Sequence, residues 1–266
     1  MGDWLLNLPI PLMAVVIFAA IYLVTAAIYL IVIGLAVGDR ARALKALSPG
    51  MLPPLGIIFG LLVGFVAVQV WNDFDRAKAA IASEASALRG VVLLADSFPE
   101  EQRSRLRSLI NGHIDEAVHQ EWPAMAEQRV TLATLPMTLM EALHYTLSFN
   151  PAGESETTAQ HEIVNALERA MEARRQRIVI SQSTVSSVKW AAILLEALCA
   201  LIAIAMVHSD NRLTCAIALT LFATGVAICV LIIAAYTRPF TGEISVGPDL
   251  LQQVIASGTA SGASAH

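Results

Sequence analysis

Long apolar runs alternate with one long polar stretch along the chain, and this pattern predicts the architecture. Four runs are long enough to cross a membrane as helices, because a span needs roughly 20 mainly apolar residues. They cover residues 10–37, 52–71, 188–207 and 213–236. Short links join the first run to the second and the third to the fourth. The pattern therefore predicts two transmembrane hairpins that flank a polar insert.

The polar insert, residues 72–187, carries apolar side chains three and four positions apart and has no alternating β-branched stretch. This spacing indicates helices rather than strands. We expect the second span to continue directly into the insert as a helix. Ser97 and Glu100 have the spacing of a capping box, which predicts a further helix beginning there and interrupted by Pro123. Two more helices are expected later in the insert, so the predicted fold class is all-α.

These elements divide the chain into four predicted segments. They are a first membrane hairpin, a helical extramembrane insert, a second membrane hairpin and a C-terminal tail, at residues 1–71, 72–187, 188–237 and 238–266.

Composition supports a membrane protein and excludes several other classes. Of the 266 residues, 56% are hydrophobic and 15% are charged, whereas soluble domains average roughly 45–50% and about 25%. Residues 72–187 hold 11 of the 17 Lys and Arg and 16 of the 22 Asp and Glu. A disordered chain, a disulfide scaffold and a nucleic-acid-binding protein are therefore poor interpretations.

Basic residues near the ends of the spans predict the orientation in the membrane. Seven lie on the side of the insert and four on the other side, namely Arg76, Lys78, Arg174, Arg175, Arg177, Lys189 and Arg238 against Arg40, Arg42, Lys45 and Arg212. The insert and both termini are therefore expected in the cytoplasm.

Three segments closely resemble the bacterial family called bestrophin-like: residues 59–94, Glu121-Trp122-Pro123-Ala124-Met125, and residues 238–244. The resemblance covers nearly the whole chain. Bestrophins are oligomeric helical anion channels with four spans per subunit, a cytoplasmic helical region and a pore lined by the second span. The resemblance thus implies a homo-oligomeric ion channel in the bacterial inner membrane, in contact with lipid and passing inorganic ions.

The second span carries a candidate pore-lining stripe on one side of its helical wheel: Ile58, Leu61, Phe65, Val68, Gln69, Asn72 and Arg76. Around a symmetry axis, this stripe would form an apolar constriction, a polar vestibule and a basic ring that favours anions. Alternatively, Gln69 and Asn72 bond to a neighbouring helix and Arg76 extends towards water. Asp73 and Asp75 adjoin the same position, so a cation channel is a second alternative.

The other side of the second span carries Gly56, Gly60 and Gly64. Small residues let a neighbouring helix approach closely in lipid, either within the subunit or between subunits. Glu196 is the one acidic residue inside a span, so it is expected to face protein or water, either as an ion or proton site or as a structural contact that Gln69 could make.

Other candidate chemistry is sparse. The cluster of Arg174, Arg175 and Arg177 could meet anionic lipid headgroups or pair with Glu168 and Glu172. No metal-ligand or catalytic motif occurs, so we expect no metal, no cofactor and no enzymatic activity. A non-conducting membrane scaffold or sensor, whose insert binds a partner, remains the alternative to the channel.

Overall fold

The computed structural model describes residues 3–36 and 49–255, and the described residues contain helices and no strand. The predicted link residues Arg40, Arg42 and Lys45, and the end of the predicted tail from residue 256, lie outside them. Within the described ranges, nine α-helices have the following bounds: α1 Asp3–Leu6, α2 Ile10–Leu35, α3 Leu52–Leu94, α4 Glu100–Glu116, α5 Trp122–Ala126, α6 Met137–Ser148, α7 Glu154–Ser181, α8 Ser187–Val207 and α9 Arg212–Tyr236. A last helical segment follows at 249–255.

Four of the described helices, α2, α3, α8 and α9, are long and apolar enough to cross a membrane. Each of them begins within about two residues of a predicted span. The prediction of an all-α membrane protein with four spans is therefore confirmed. Helix α3 has 43 residues, far more than the roughly 20 that a span requires.

The described residues form two compact units. The membrane unit comprises residues 3–36, 49–72, 184–238 and 242–244, and the insert unit comprises 73–183, 239–241 and 245–255. Helix α3 contributes its first part to the membrane unit and its second part to the insert unit.

The membrane unit is held together by apolar contacts among its spans. One cluster includes Met13, Ile17, Phe59, Ile193 and Val230, and a second includes Val32, Leu201 and Leu219. Hydroxyl groups also link spans, since Tyr22 on α2 and Thr224 on α9 hydrogen-bond at 2.8 Å.

The insert unit has its own apolar core, in which side chains from α3, α4, α6 and α7 pack together. Ile81, Ile110, Leu139 and Ile163 are fully buried there. The part of the chain after α9 joins this core through Phe240, Leu251 and Val254.

The predicted start of the second insert helix was wrong. Helix α4 begins at Glu100 rather than at Ser97, and Ala95–Ser97 forms a 3₁₀ turn instead. Phe98 is extended because Pro99 follows it, and the helical conformation is disfavoured in a residue that precedes proline. The α-helix is interrupted just before Pro123, as expected. Helix α4 ends at Glu116, a π-helical turn covers Ala117–Glu121, and Pro123 lies in the first turn of α5, a position that tolerates its missing N–H.

Candidate functional site

Helix α3 presents two different sides within the membrane unit. Phe59, Val66 and Val70 are buried against other spans of the unit. Four apolar members of the predicted stripe are exposed instead, namely Ile58, Leu61, Phe65 and Val68. Phe65 is the most open of the four, at 71% exposure. The apolar part of the stripe is therefore free to contact lipid, another subunit or a pore.

Gln69, the first polar member of the stripe, is half-buried. Its side-chain oxygen accepts a hydrogen bond from Nζ of Lys189 at the start of α8, which lies 120 positions later in the chain. This contact brings a positive charge beside the stripe. Asn72, one turn further on, is exposed.

Arg76 is exposed in the insert unit, where no described residue pairs with its guanidinium. The neighbouring carboxylates differ, since Asp75 is exposed and Asp73 is half-buried. Neither of them forms an ion pair with Arg76 among the described residues.

The three glycines of the second span also lie on the surface of the membrane unit. A Cβ atom built on Gly56, Gly60 or Gly64 would have no described atom within 4 Å. No helix in the described part of the chain therefore uses this ridge for close approach.

Glu196 lies in the middle of α8, and its Oε1 atom is buried without a hydrogen bond from any described residue. Gln69 binds Lys189 rather than Glu196. The contact between Glu196 and Gln69 that the sequence allowed is therefore not formed.

A buried ion network lies in the insert unit, and the sequence analysis did not anticipate it. Glu84 of α3 and Arg177 of α7 are both fully buried and meet through two bonds, at 2.8 and 3.1 Å. Arg177 donates a third bond to Oε2 of Glu121 at 2.8 Å. Such pairing is necessary because an unpaired buried charge is strongly unfavourable.

Two further residues extend the buried network. Arg174 binds Oε1 of Glu121 and also donates to the carbonyl of Thr134, at 3.1 Å. Nε2 of His113, on α4, lies 3.0 Å from Oε1 of Glu84. Burial alone would lower the pKa of Arg177, but the charges and hydrogen bonds of Glu84 and Glu121 raise it above its ordinary value. The Arg177 guanidinium is therefore held in its charged form.

Trp122 connects this network to the C-terminal part of the insert unit. Its ring lies 4.7 Å from the guanidinium carbon of Arg177, a cation–π arrangement. The indole N–H donates to the carbonyl of Val246 at 3.1 Å, and the ring packs edge-on against Phe240. Gly242 has φ +85°, which favours glycine, and follows Thr241, whose hydroxyl donates to the carbonyl of Ala126.

The predicted cluster of three arginines is divided by the structure. Arg174 and Arg177 are buried in the ion network, so neither alternative, lipid headgroups or pairing with Glu168 and Glu172, holds for them. Only Arg175 is exposed, and it pairs with Glu172. The signal was present in the sequence, because Arg174 and Arg177 continue the three-and-four spacing of the buried Ile163, Leu167 and Ala170.

Within residues 3–36 and 49–255, no three His, Cys, Asp or Glu side chains form a group that could hold a metal ion.

Comparisons with known proteins give a family and a fold. A family model described as Bestrophin-like domain matches residues 19–251. A crystal structure of a bacterial bestrophin homolog from Klebsiella pneumoniae, carrying one substitution, matches with a TM-score of 0.71 at 14% identity, over 91% of this chain and 99% of that one. A second variant of a Klebsiella homolog matches with a TM-score of 0.70 at 12% identity, over 90% and 97%. No curated protein matches the chain.

Proposed function

The chain belongs to the bestrophin-like family, and from this premise we propose that it is a homo-oligomeric, pore-forming membrane protein. In this proposal the second span, α3, lines an ion pathway shared between subunits, and anions pass in preference to cations. The protein acts as a channel rather than as an enzyme, and its natural setting is the bacterial inner membrane.

The observation that carries the proposal is the order of exposed side chains along α3. The exposed apolar members of the stripe are followed along the same helix by exposed Asn72 and Arg76; these apolar members are Ile58, Leu61, Phe65 and Val68. Gln69 lies on this side within the predicted span, where a purely lipid-facing helix would carry an apolar side chain. An apolar ring can control conduction by dewetting, and the polar positions can then receive a hydrated ion.

Anion preference is supported by basic groups near this line. Arg76 has no counter-ion among the described residues, and Nζ of Lys189 sits at Gln69. Basic rings in a pore favour anions. Asp73 and Asp75 lie close to Arg76 in the chain, and a cation-selective pore would rely on them.

The proposed orientation places the insert and both termini in the cytoplasm. It rests on the excess of Lys and Arg on the insert side of the spans. Burial of Arg174 and Arg177 in ion pairs does not change the count, because the rule concerns charges present during insertion.

One observation favours a second candidate, a non-conducting scaffold or sensor whose insert binds a partner. The insert unit exposes four large apolar side chains close together in the chain, Leu132, Leu135, Met137 and Met140. Exposed apolar groups of this kind, outside a membrane span, are typical of protein interaction surfaces.

Currents through planar bilayers test the channel proposal. Phe65→Ala should raise conductance severalfold, because it would widen the proposed apolar constriction. Leu23→Ala is the matched control, since Leu23 on α2 is equally exposed at 72% and lies outside the stripe. Unchanged conductance in Phe65→Ala would show that Phe65 does not form part of the constriction. Silent bilayers from an intact oligomer would favour the scaffold or sensor.

A further inference from the structure

Beyond Arg76, helix α3 continues through the insert unit as far as Leu94. One side of the helix is buried there and carries Ile81, Glu84 and Leu88. The other side is exposed and carries only small side chains and cations from residue 77 to residue 89, namely Lys78, Ala79, Ala82, Ser83, Ser86 and Arg89. We call these six residues the cationic face of α3.

The charge of this face is opposite to the charge of the insert as a whole. Residues 72–187 hold 16 Asp and Glu against 11 Lys and Arg, so the insert is acidic. Two cations with no exposed carboxylate between them on the helix therefore do not follow from composition. A surface lined by one sign of charge raises the local concentration of ions of the opposite sign, which here are anions.

The cations of the face also lack counter-ions. Neither Lys78 nor Arg89 forms an ion pair with any residue that the structure describes. Most other arginines of the insert unit do pair with carboxylates, namely Arg103, Arg105, Arg107, Arg129, Arg174, Arg175 and Arg177. Arg169 of α7 has no carboxylate partner among the described residues and donates to the carbonyl of Asn165 instead. Charges that the protein does not neutralise remain available to mobile anions.

Two grooves give solvent access to these cations, and both lie between α3 and residues 245–254. The first, of about 540 Å³, contains Lys78 and also the carboxylate of Asp249. The second, of about 210 Å³, contains Arg89 together with Ser86 and Gln253 and no carboxylate. Hydroxyl and amide groups can donate hydrogen bonds to an anion, so Arg89 has the more favourable surroundings of the two cations.

The cationic face follows the stripe of the second span along the same helix. Because an α-helix completes a turn in 3.6 residues, Ser83 lies on the side of Arg76, the last member of the stripe. Lys78 and Arg89 are three turns apart and lie along one edge of the exposed side. Arg89 lies 13 residues beyond Arg76, a rise of about 19.5 Å, and is therefore well separated from the proposed constriction at Phe65.

We propose that the cationic face of α3 continues the anion pathway through the insert unit, with Arg89 as a residue that sets its throughput. The inference rests on the proposed function, because it applies only where α3 lines the pathway. Small side chains leave the passage wide, so anions keep their water and are attracted by charge. This attraction acts over the Debye length, which is about 10 Å at 0.1 M salt and about 3 Å at 1 M.

Single-channel conductance of the full-length oligomer in planar bilayers, in symmetric potassium chloride, tests the inference. Arg89→Glu should lower the conductance severalfold at 0.1 M salt, because a carboxylate then repels anions beside the passage. The loss should fade at 1 M salt, where screening shortens the reach of the charge. Arg89→Lys keeps the charge and should conduct like the wild type. Arg169→Glu is the matched control, since Arg169 also lacks a carboxylate partner among the described residues but lies outside the cationic face.

The outcomes separate this inference from the proposed function. Equal conductance in Arg89→Glu and Arg169→Glu at 0.1 M, or a loss that persists at 1 M, would overturn the role of Arg89. If Phe65→Ala still raises conductance in that case, the pore along the second span stands without its continuation. Silent bilayers from the wild-type oligomer would overturn both. If Arg89→Glu does not assemble, Arg89→Gln carries the same salt series, with a smaller expected loss and Arg169→Gln as its control.

Discussion

The membrane unit and the insert unit satisfy their buried polar groups in different ways. In the membrane unit, two of the buried polar residues are threonines. Thr25 donates to a carbonyl of its own helix at 2.8 Å, and Thr237 donates to a carbonyl of α9, the helix that ends just before it, at 2.6 Å. The insert unit instead buries full charges, Glu84 and Arg177 among them, and pairs them between helices that are distant in the chain. The described contacts of the membrane unit are therefore mainly apolar, whereas the insert unit also depends on a specific electrostatic arrangement.

This difference predicts that charge removal is most damaging in the insert unit. Glu84→Ala leaves Arg177 buried without two of its bonds, and breaking a buried pair costs about 3–5 kcal/mol. We expect a large fall in the midpoint of thermal unfolding, measured by tryptophan fluorescence. Glu172→Ala, which breaks the exposed pair with Arg175, should leave the midpoint unchanged. Equal falls in both variants would contradict the distinction.

A double variant sharpens this test. Replacing a buried ion pair by apolar residues of similar volume is often close to neutral. Glu84→Leu combined with Arg177→Met should therefore be more stable than either single variant. Additive losses would show that an unpaired buried charge is not what destabilises the single variants.

In the membrane unit, the expected weak point is the glycine ridge. Gly60→Leu meets no described atom at its Cβ position, so it introduces no clash at that point with the described residues. If the ridge packs against a second copy, the oligomer should dissociate markedly, as seen by light scattering in detergent. Ala19→Leu, at an exposed position on α2, is the control. An intact oligomer in Gly60→Leu would place the ridge against lipid.

The smallest expected effect on stability is at Trp122, where one substitution can remove the hydrogen bond to Val246 and keep a ring beside Arg177. Trp122→Phe keeps a ring near Arg177 but removes the bond to the carbonyl of Val246. We expect a loss of about 0.5–1.5 kcal/mol in the free energy of unfolding. Trp71→Phe serves as the control, because Trp71 is exposed and donates no bond to the described residues. An equal loss in both would assign the effect to ring size.

The fold could be predicted from the sequence because its determinants are local. A 26-residue apolar run such as α2 is long enough to cross a membrane as a helix. The spacing of apolar residues in the insert indicates helices directly. The predicted helix start at Ser97 was wrong because Phe98, which precedes Pro99, is extended, as a residue before proline prefers.

The pairings within the candidate site could not be predicted in the same way. Glu84 and Arg177 are separated by 93 positions, and Gln69 and Lys189 by 120. No local pattern specifies such partners. Burial of Arg177 was readable from its position on the apolar side of α7, but the identity of its counter-ion depends on how the helices of the insert pack.

The reversal potential in a planar bilayer under a potassium chloride gradient tests the central claim, an anion pore along α3, most directly. The wild-type oligomer should reverse near the chloride equilibrium potential, and Arg76→Ala should move the value towards zero because it removes a basic ring from the pathway. Arg129→Ala, exposed elsewhere in the insert unit, should leave the value unchanged. A wild-type reversal near the potassium equilibrium potential, or no shift in Arg76→Ala, would contradict the account.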